Sequence, residues 1–203
     1  MDVLKKIGIM GGTFDPIHYG HLVTAEAAYY EYGLDRIYFI PSEQPPHKKG
    51  RHVTSAEDRL LMTHLATAAN PHFYTSDLEI KRQGYTYTVD TIRQLHQMMP
   101  ETEIYFITGA DAFSEILTWK DPVTLLNSCD MVAATRPGYT RSRVIDQVEE
   151  IMGNNADRLH FLEVPALAIS SSDIRQRVHD KKPIRYLLPE SVENYIYKHQ
   201  LYR

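Results

Sequence analysis

The 203-residue chain has one cysteine, Cys129, which excludes an internal disulfide and any thiolate-based metal cluster. No apolar run approaches the roughly 18 residues of a membrane span. The opening Met-Asp-Val-Leu-Lys-Lys passes straight into a strand-like segment, with no secretory apolar region. Neither sign of charge is in large excess: 22 Lys and Arg stand against 26 Asp and Glu, a net −4 with His neutral. That balance argues against an extended nucleic-acid partner and against a disordered acidic arm. Internal repeats, low-complexity tracts and dividing linkers are also absent. What is present is ordinary globular composition, 43% hydrophobic and 24% charged, sufficient for one domain over residues 1–203. The expectation is a soluble cytoplasmic protein with no membrane or nucleic-acid partner, a homo-oligomer being possible.

Strand and helix signals alternate along the chain. Residues 5–11 (KKIGIMG) form a short apolar run between charge and glycine, the pattern of a buried parallel strand. From His21, the positions Leu22, Ala25, Ala28, Tyr29 and Tyr32 share one helical face, and Gly33 supplies the stop. Residues 36–41 (RIYFIP) give a second strand and complete a βαβ unit. Residues 42–53, rich in Pro and basic side chains, read as a surface loop. Residues 54–57 (TSAE) read as a capping box, opening a helix that Leu60, Leu61, His64, Leu65 and Ala68 continue. Residues 73–80 fit an edge strand, and Thr88 is placed to cap a helix carrying Val89, Ile92, Leu95 and Met98. Further strands are expected at 104–108, 131–135 and 159–164, with helices to Leu117, at 143–152, from Ser170 or Ser171 towards His179, and from Pro189 through Tyr197. This alternation predicts an α/β fold: a Rossmann-like, doubly wound, mainly parallel sheet with helices on both faces. In such sheets ligands sit beyond the carboxyl ends of the strands, near the reversal of strand order. Polar motifs that directly follow strands should therefore meet in one crevice.

The first such motif is GGTFDPIHYGH, residues 11–21, joining the first strand to the first helix. Its glycines allow a sharp turn and close backbone approach, and the helix beginning near Tyr19 offers unpaired N–H groups and a positive dipole end to an anion. His18 and His21 lie three apart at that start, so both rings can face one phosphate, and Gly20 leaves room for it. The segment is not G-x-x-x-x-G-K-S/T, because no Lys follows, nor is it G-x-G-x-x-G. A two-histidine metal site would need a third ligand, and no HExxH or cysteine partner supplies one.

A second motif, ISSSDIR at residues 169–175, precedes a helix. Its serines can cap that helix or present it to phosphate, and Arg175 falls on the same face as Ser171 one turn on, placed to brace a leaving diphosphate or simply to lie at the surface. Several residues in between suit an acceptor. Lys48 in the PPHK loop can meet a phosphate or be a solvated lysine. The amides of residues 85–88 can take a carboxylate or merely begin a helix. Asp111 can accept from ribose hydroxyls or cap the next helix. Trp119, the only tryptophan, can be core or a plate for a flat heterocycle. Arg136 can meet adenine or phosphate, or pair at the surface.

GGTFDPIHYGHL resembles the GxFDPxHxGH signature of the nucleotidyltransferase superfamily, and ISSSDIR resembles its ISSTxIR signature, with Ser172 where Thr is usual. With PPHK, TYTVDT, the GAD segment running to Trp119-Lys120, RPGY and YLLPESVENYI, the whole chain resembles the bacterial nicotinate-nucleotide adenylyltransferase family. The resemblance implies transfer of the AMP moiety of ATP to nicotinate mononucleotide, giving deamido-NAD and diphosphate. It implies that His18, His21 and Arg175 are catalytic. Gly11, Thr13, Phe14, Gly109, Asp111, Arg136, Ile169, Ser170 and Ser171 would join the histidines around ATP, and Lys48, Thr86, Tyr87 and Trp119 would hold the nicotinate nucleotide. Mg²⁺ is expected to travel with ATP and to have no dedicated protein site. The same chemistry with another acceptor, nicotinamide mononucleotide or phosphopantetheine, is the alternative.

Overall fold

The computed structural model describes residues 4–44, 53–82, 84–138, 143–165 and 167–203. Its strands are β1 (Lys6–Gly12), β2 (Arg36–Pro41), β3 (Phe73–Thr75), β4 (Glu103–Gly109), β5 (Asp130–Thr135) and β6 (Leu159–Glu163). They form one sheet in the order β3-β2-β1-β4-β5-β6, and every neighbouring pair is parallel. The chain winds outwards from β1 to β3, then returns past β1 and winds outwards to β6. The reversal lies between β1 and β4, where this architecture leaves a crevice above the carboxyl ends of the strands. The Rossmann-like doubly wound expectation holds.

The strands are apolar on both sides because helices cover both faces. Met10, Ile37, Phe39, Ile107, Val132 and Leu162 pack on one side with helices α1 (Tyr19–Glu31), α2 (Ala56–Thr67), α8 (Ser171–His179) and α9 (Glu190–Lys198). Ile7, Ile9, Ile40, Ile104, Phe106 and Met131 pack on the other. There they meet α3 (Leu78–Arg82), α4 (Thr88–Met98), α5 (Ala110–Phe113), α6 (Pro122–Ser128) and α7 (Arg143–Met152). Each fully buried isoleucine in these layers contributes about 1.5–3 kcal/mol. Among the described residues no helix is long and apolar enough to cross a membrane.

Several local expectations change. Residues 73–80 do not continue as a strand: β3 ends at Thr75, and the Leu78 amide donates to Ser76 Oγ at 3.3 Å, turning the chain into α3. The capping serine of α2 is Ser55, whose hydroxyl accepts from the Asp58 amide, one residue later than the TSAE box implied. The inner face of α2 is Arg59, Met62, Thr63 and Thr67, whereas Leu61, His64 and Ala68 are exposed. Polar groups can line that face because the Thr63 and Thr67 hydroxyls each donate to the carbonyl one turn earlier, at 2.7 and 3.0 Å. Thr88 is not the cap of α4; Tyr87 is, and its side chain makes no capping bond. Met98 of that helix is 61% exposed. The helix expected after Asp111 breaks into α5 and a 3₁₀ turn, Ile116–Thr118. α6, which the periodicity did not indicate, opens on an Asp121-Pro122 pair, with Asp121 accepting from the Thr124 amide at 3.4 Å.

Candidate active site

β1 delivers the first motif at the strand-order reversal. His18 is the N-cap of α1 and is 7% exposed. Its amide donates to Nδ1 of His21 at 3.2 Å, and the two rings stack with centroids 3.8 Å apart. Because Nδ1 of His21 accepts, the neutral ring carries its proton on Nε2. Burial lowers the His18 pKa to about 4. Burial also holds His21 well below the ordinary range, and a charge on His18 would push it lower. Both rings are therefore neutral at pH 7 and present N–H donors rather than fixed charges. The His18 Nδ1 atom is buried without a hydrogen-bond partner among the described residues. Gly20 makes the stack fit: a Cβ there would lie 3.0 Å from the His18 ring.

The histidines line a cavity of about 580 Å³ together with Gly11, Thr108, Gly109, Asp111, Arg136 and Ile169. A second cavity, of about 330 Å³, lies beside it and is walled by Thr13, Ser42, Glu79, Thr86, Tyr87 and Trp119. Gly11, Thr108 and Ala112 belong to both walls, so the two spaces adjoin at the ends of β1 and β4. At Gly11 a Cβ would stand 3.3 Å from the Phe106 ring, so a larger residue there would press on that ring. Trp119 stands edge-on to Phe106, with centroids 6.1 Å apart. Among the described residues no three His, Cys, Asp or Glu side chains converge to hold a metal.

Residues 9–177 match the cytidylyltransferase-like family. A Moorella thermoacetica protein named "Probable nicotinate-nucleotide adenylyltransferase" is 57% identical over 199 residues, covering 98% of this chain and 92% of the relative. A Thermoanaerobacter relative of the same name is 55% identical, covering 98% and 94%. The chain belongs to the nicotinate-nucleotide adenylyltransferase family. Its fold is shared with the Plasmodium falciparum nicotinic acid mononucleotide adenylyltransferase complexed with NaAD, at TM-score 0.78 and 21% identity, covering 98% of this chain and 97% of that one.

Against the residues this family implies, the structure makes a clear division. His18, His21, Gly11, Gly109, Asp111, Arg136 and Ile169 line the larger cavity, and Thr86, Tyr87 and Trp119 the smaller. Thr13, expected around ATP, lines the smaller cavity instead. Phe14, Ser170, Ser171 and Arg175 line neither. Phe14 is 2% exposed and sets its ring edge-on to His21, with centroids 5.1 Å apart, so its side chain backs that ring. Ser170 caps α8, accepting from the Asp173 amide at 3.1 Å. Arg175 donates from Nη1 to the Asp15 carbonyl at 2.7 Å and from Nη2 to the Ser172 hydroxyl at 3.3 Å, which ties its guanidinium to the backbone of the first motif. The amide of Thr86 donates to the Gln44 carbonyl at 3.1 Å, which removes it from the free amides at the start of α4. Lys48 lies outside the described residues.

Sequence reasoning missed Arg59, which is 1% exposed. Its Nη1 donates to the Thr13 carbonyl at 2.8 Å, Nη2 to Glu43 at 3.1 Å and Nε to Thr54 at 2.9 Å. One guanidinium thus fastens the first motif to both flanks of the basic loop. Asp15 was also missed: its carboxylate accepts from the Tyr202 hydroxyl at 2.8 Å and from the Thr54 amide at 3.4 Å. Burial raises the Tyr202 pKa, and the nearby Asp15 charge adds to the shift. An arginine between apolar helix positions was the available signal for Arg59. Nothing local marked Tyr202.

Proposed function

We propose that this chain transfers the AMP moiety of ATP to nicotinate mononucleotide, releasing diphosphate and forming deamido-NAD, with ATP in the histidine-lined cavity and the acceptor in the cavity walled by Trp119. The observation that carries the reading is that two cavities share Gly11, Thr108 and Ala112 as lining, so an acceptor in one and a nucleotide at His18 and His21 in the other would lie side by side. A phosphate-acceptor oxygen forms a bond to the α-phosphorus while the bond to the bridging oxygen of the diphosphate breaks in line with it. The acceptor phosphate is already anionic near pH 7, so the step calls for no base to make the nucleophile. Catalysis comes from placing two anions in contact and from donors aimed where negative charge grows.

In this reading the Nε2–H of His21 and the Gly20 amide in the first turn of α1 meet the phosphates. An incoming triphosphate raises the proton affinity of both rings, because a nearby opposite charge favours the imidazolium. Arg136 and Asp111 stand at the mouth of the same cavity for the adenosine end. Trp119 faces the pyridine ring, and Lys48 meets the acceptor phosphate. Mg²⁺, when bound, would travel with the triphosphate without a dedicated protein ligand and would shield charge there.

The test is diphosphate release from ATP with nicotinate mononucleotide, nicotinamide mononucleotide and phosphopantetheine offered in parallel. Turnover with the nicotinate acceptor at least tenfold above the others is expected. A preference for either of the others moves the assignment to that acceptor.

A further inference from the structure

Glu79 is 7% exposed, lies on α3 and reaches the wall of the smaller cavity. It accepts the Thr91 hydroxyl at 2.6 Å, while the Thr86 hydroxyl donates to the Gln44 carbonyl at 3.4 Å. Arg82 stands 4.0 Å away and itself donates to Thr91 Oγ1 at 2.9 Å. Burial pushes the Glu79 carboxyl up, while the Thr91 hydroxyl, Arg82 and the Thr86 hydroxyl pull it back.

Thr86 and Thr91 bracket the first turn of α4. That turn lacks the usual anchor, since its N-cap, Tyr87, makes no side-chain capping bond. An uncapped start is free to fray, because the first amides of a helix have no partner within it. Here the Gln44 carbonyl holds Thr86 just before the turn, and the Glu79 carboxyl holds the chain one turn into the helix, at Thr91. The segment between, Tyr87 and Thr88, forms part of the cavity wall.

We propose that Glu79 is a positioning residue for the acceptor: it takes the place of the missing cap and holds the start of α4 where its amides and Tyr87 meet the acceptor's ring end. The inference rests on reading that cavity as the acceptor site.

Steady-state kinetics of the wild type, Glu79→Met and Glu79→Gln test it, each substrate varied separately, with thermal melts as the folding control. Glu79→Met is expected to raise KM for nicotinate mononucleotide about tenfold, the scale of one or two lost hydrogen bonds, with KM for ATP within about twofold. Glu79→Gln keeps a carbonyl oxygen for Thr91 and should recover most of the loss. If Glu79→Met does not fold, Thr91→Val, which removes the gripped hydroxyl, should raise the same KM selectively. Equal changes in both KM values, no change in either, or a Gln variant as impaired as Met would each overturn the proposal. Wild-type preference for another acceptor would instead unseat the functional reading, and the selective KM effect would then be sought on that acceptor.

Discussion

Ser171 donates its hydroxyl to the Pro16 carbonyl at 2.8 Å, joining two motifs 155 positions apart. Arg175 does the same for the Asp15 carbonyl. The second motif thus supports the backbone of the first, behind the histidines. Preorganisation of this kind matters because a donor displaced by about 1 Å can forfeit on the order of a hundredfold in rate.

His21→Ala should fold normally and lose about 10²–10³ in kcat, the usual cost of removing one donor to developing charge. Stopped or steady-state diphosphate release measures this. Turnover within a few-fold of wild type would take the imidazole out of the reaction.

Gly20→Ala separates stability from activity. Alanine favours a helix over glycine by about 1 kcal/mol, yet its Cβ would press on the His18 ring from 3.0 Å. Unfolding should become no easier, while kcat falls by tenfold or more. An active, stabilised Gly20→Ala variant would show that the stack tolerates displacement.

Acid should weaken the fold through His18. Its folded pKa is about 4, against an ordinary 6.5, because burial disfavours the charged ring. The unfolded chain therefore binds more protons than the folded one between those values, and stability present above pH 6.5 is lost as pH falls to 4. Denaturant midpoints across that range should drop for wild type and drop less for His18→Gln. Parallel curves would mean the ring is not the group responsible.

Trp119→Ala should raise KM for nicotinate mononucleotide severalfold and leave KM for ATP nearly unchanged, since the side chain lines only the smaller cavity. Equal losses for both substrates would make the indole a packing element against Phe106 alone.

The βαβ start, the parallel order and both motifs were legible because they depend on local signals: apolar runs, glycine stops and polar segments after strands. The face of α2 was not, since burying Arg59 depends on carbonyls donated by Thr13, Glu43 and Thr54, which only the folded chain assembles. α4 misled for a related reason. Thr88 looks like a cap, but the N-cap is Tyr87, and Glu79 on a neighbouring helix holds the first turn through the Thr91 hydroxyl. Within the site, the ties of Ser171 and Arg175 to the first motif were not legible, because they are hydrogen bonds that span most of the chain, and Phe14 against His21 is a ring contact that only the folded turn makes.

The grip of Arg59 on the carbonyls of Glu43 and Thr54 has a mechanical side. One side chain ties Glu43, Thr54 and the Thr13 carbonyl of the first motif to α2, so a shift of that helix would be passed at once to three separate stretches of backbone.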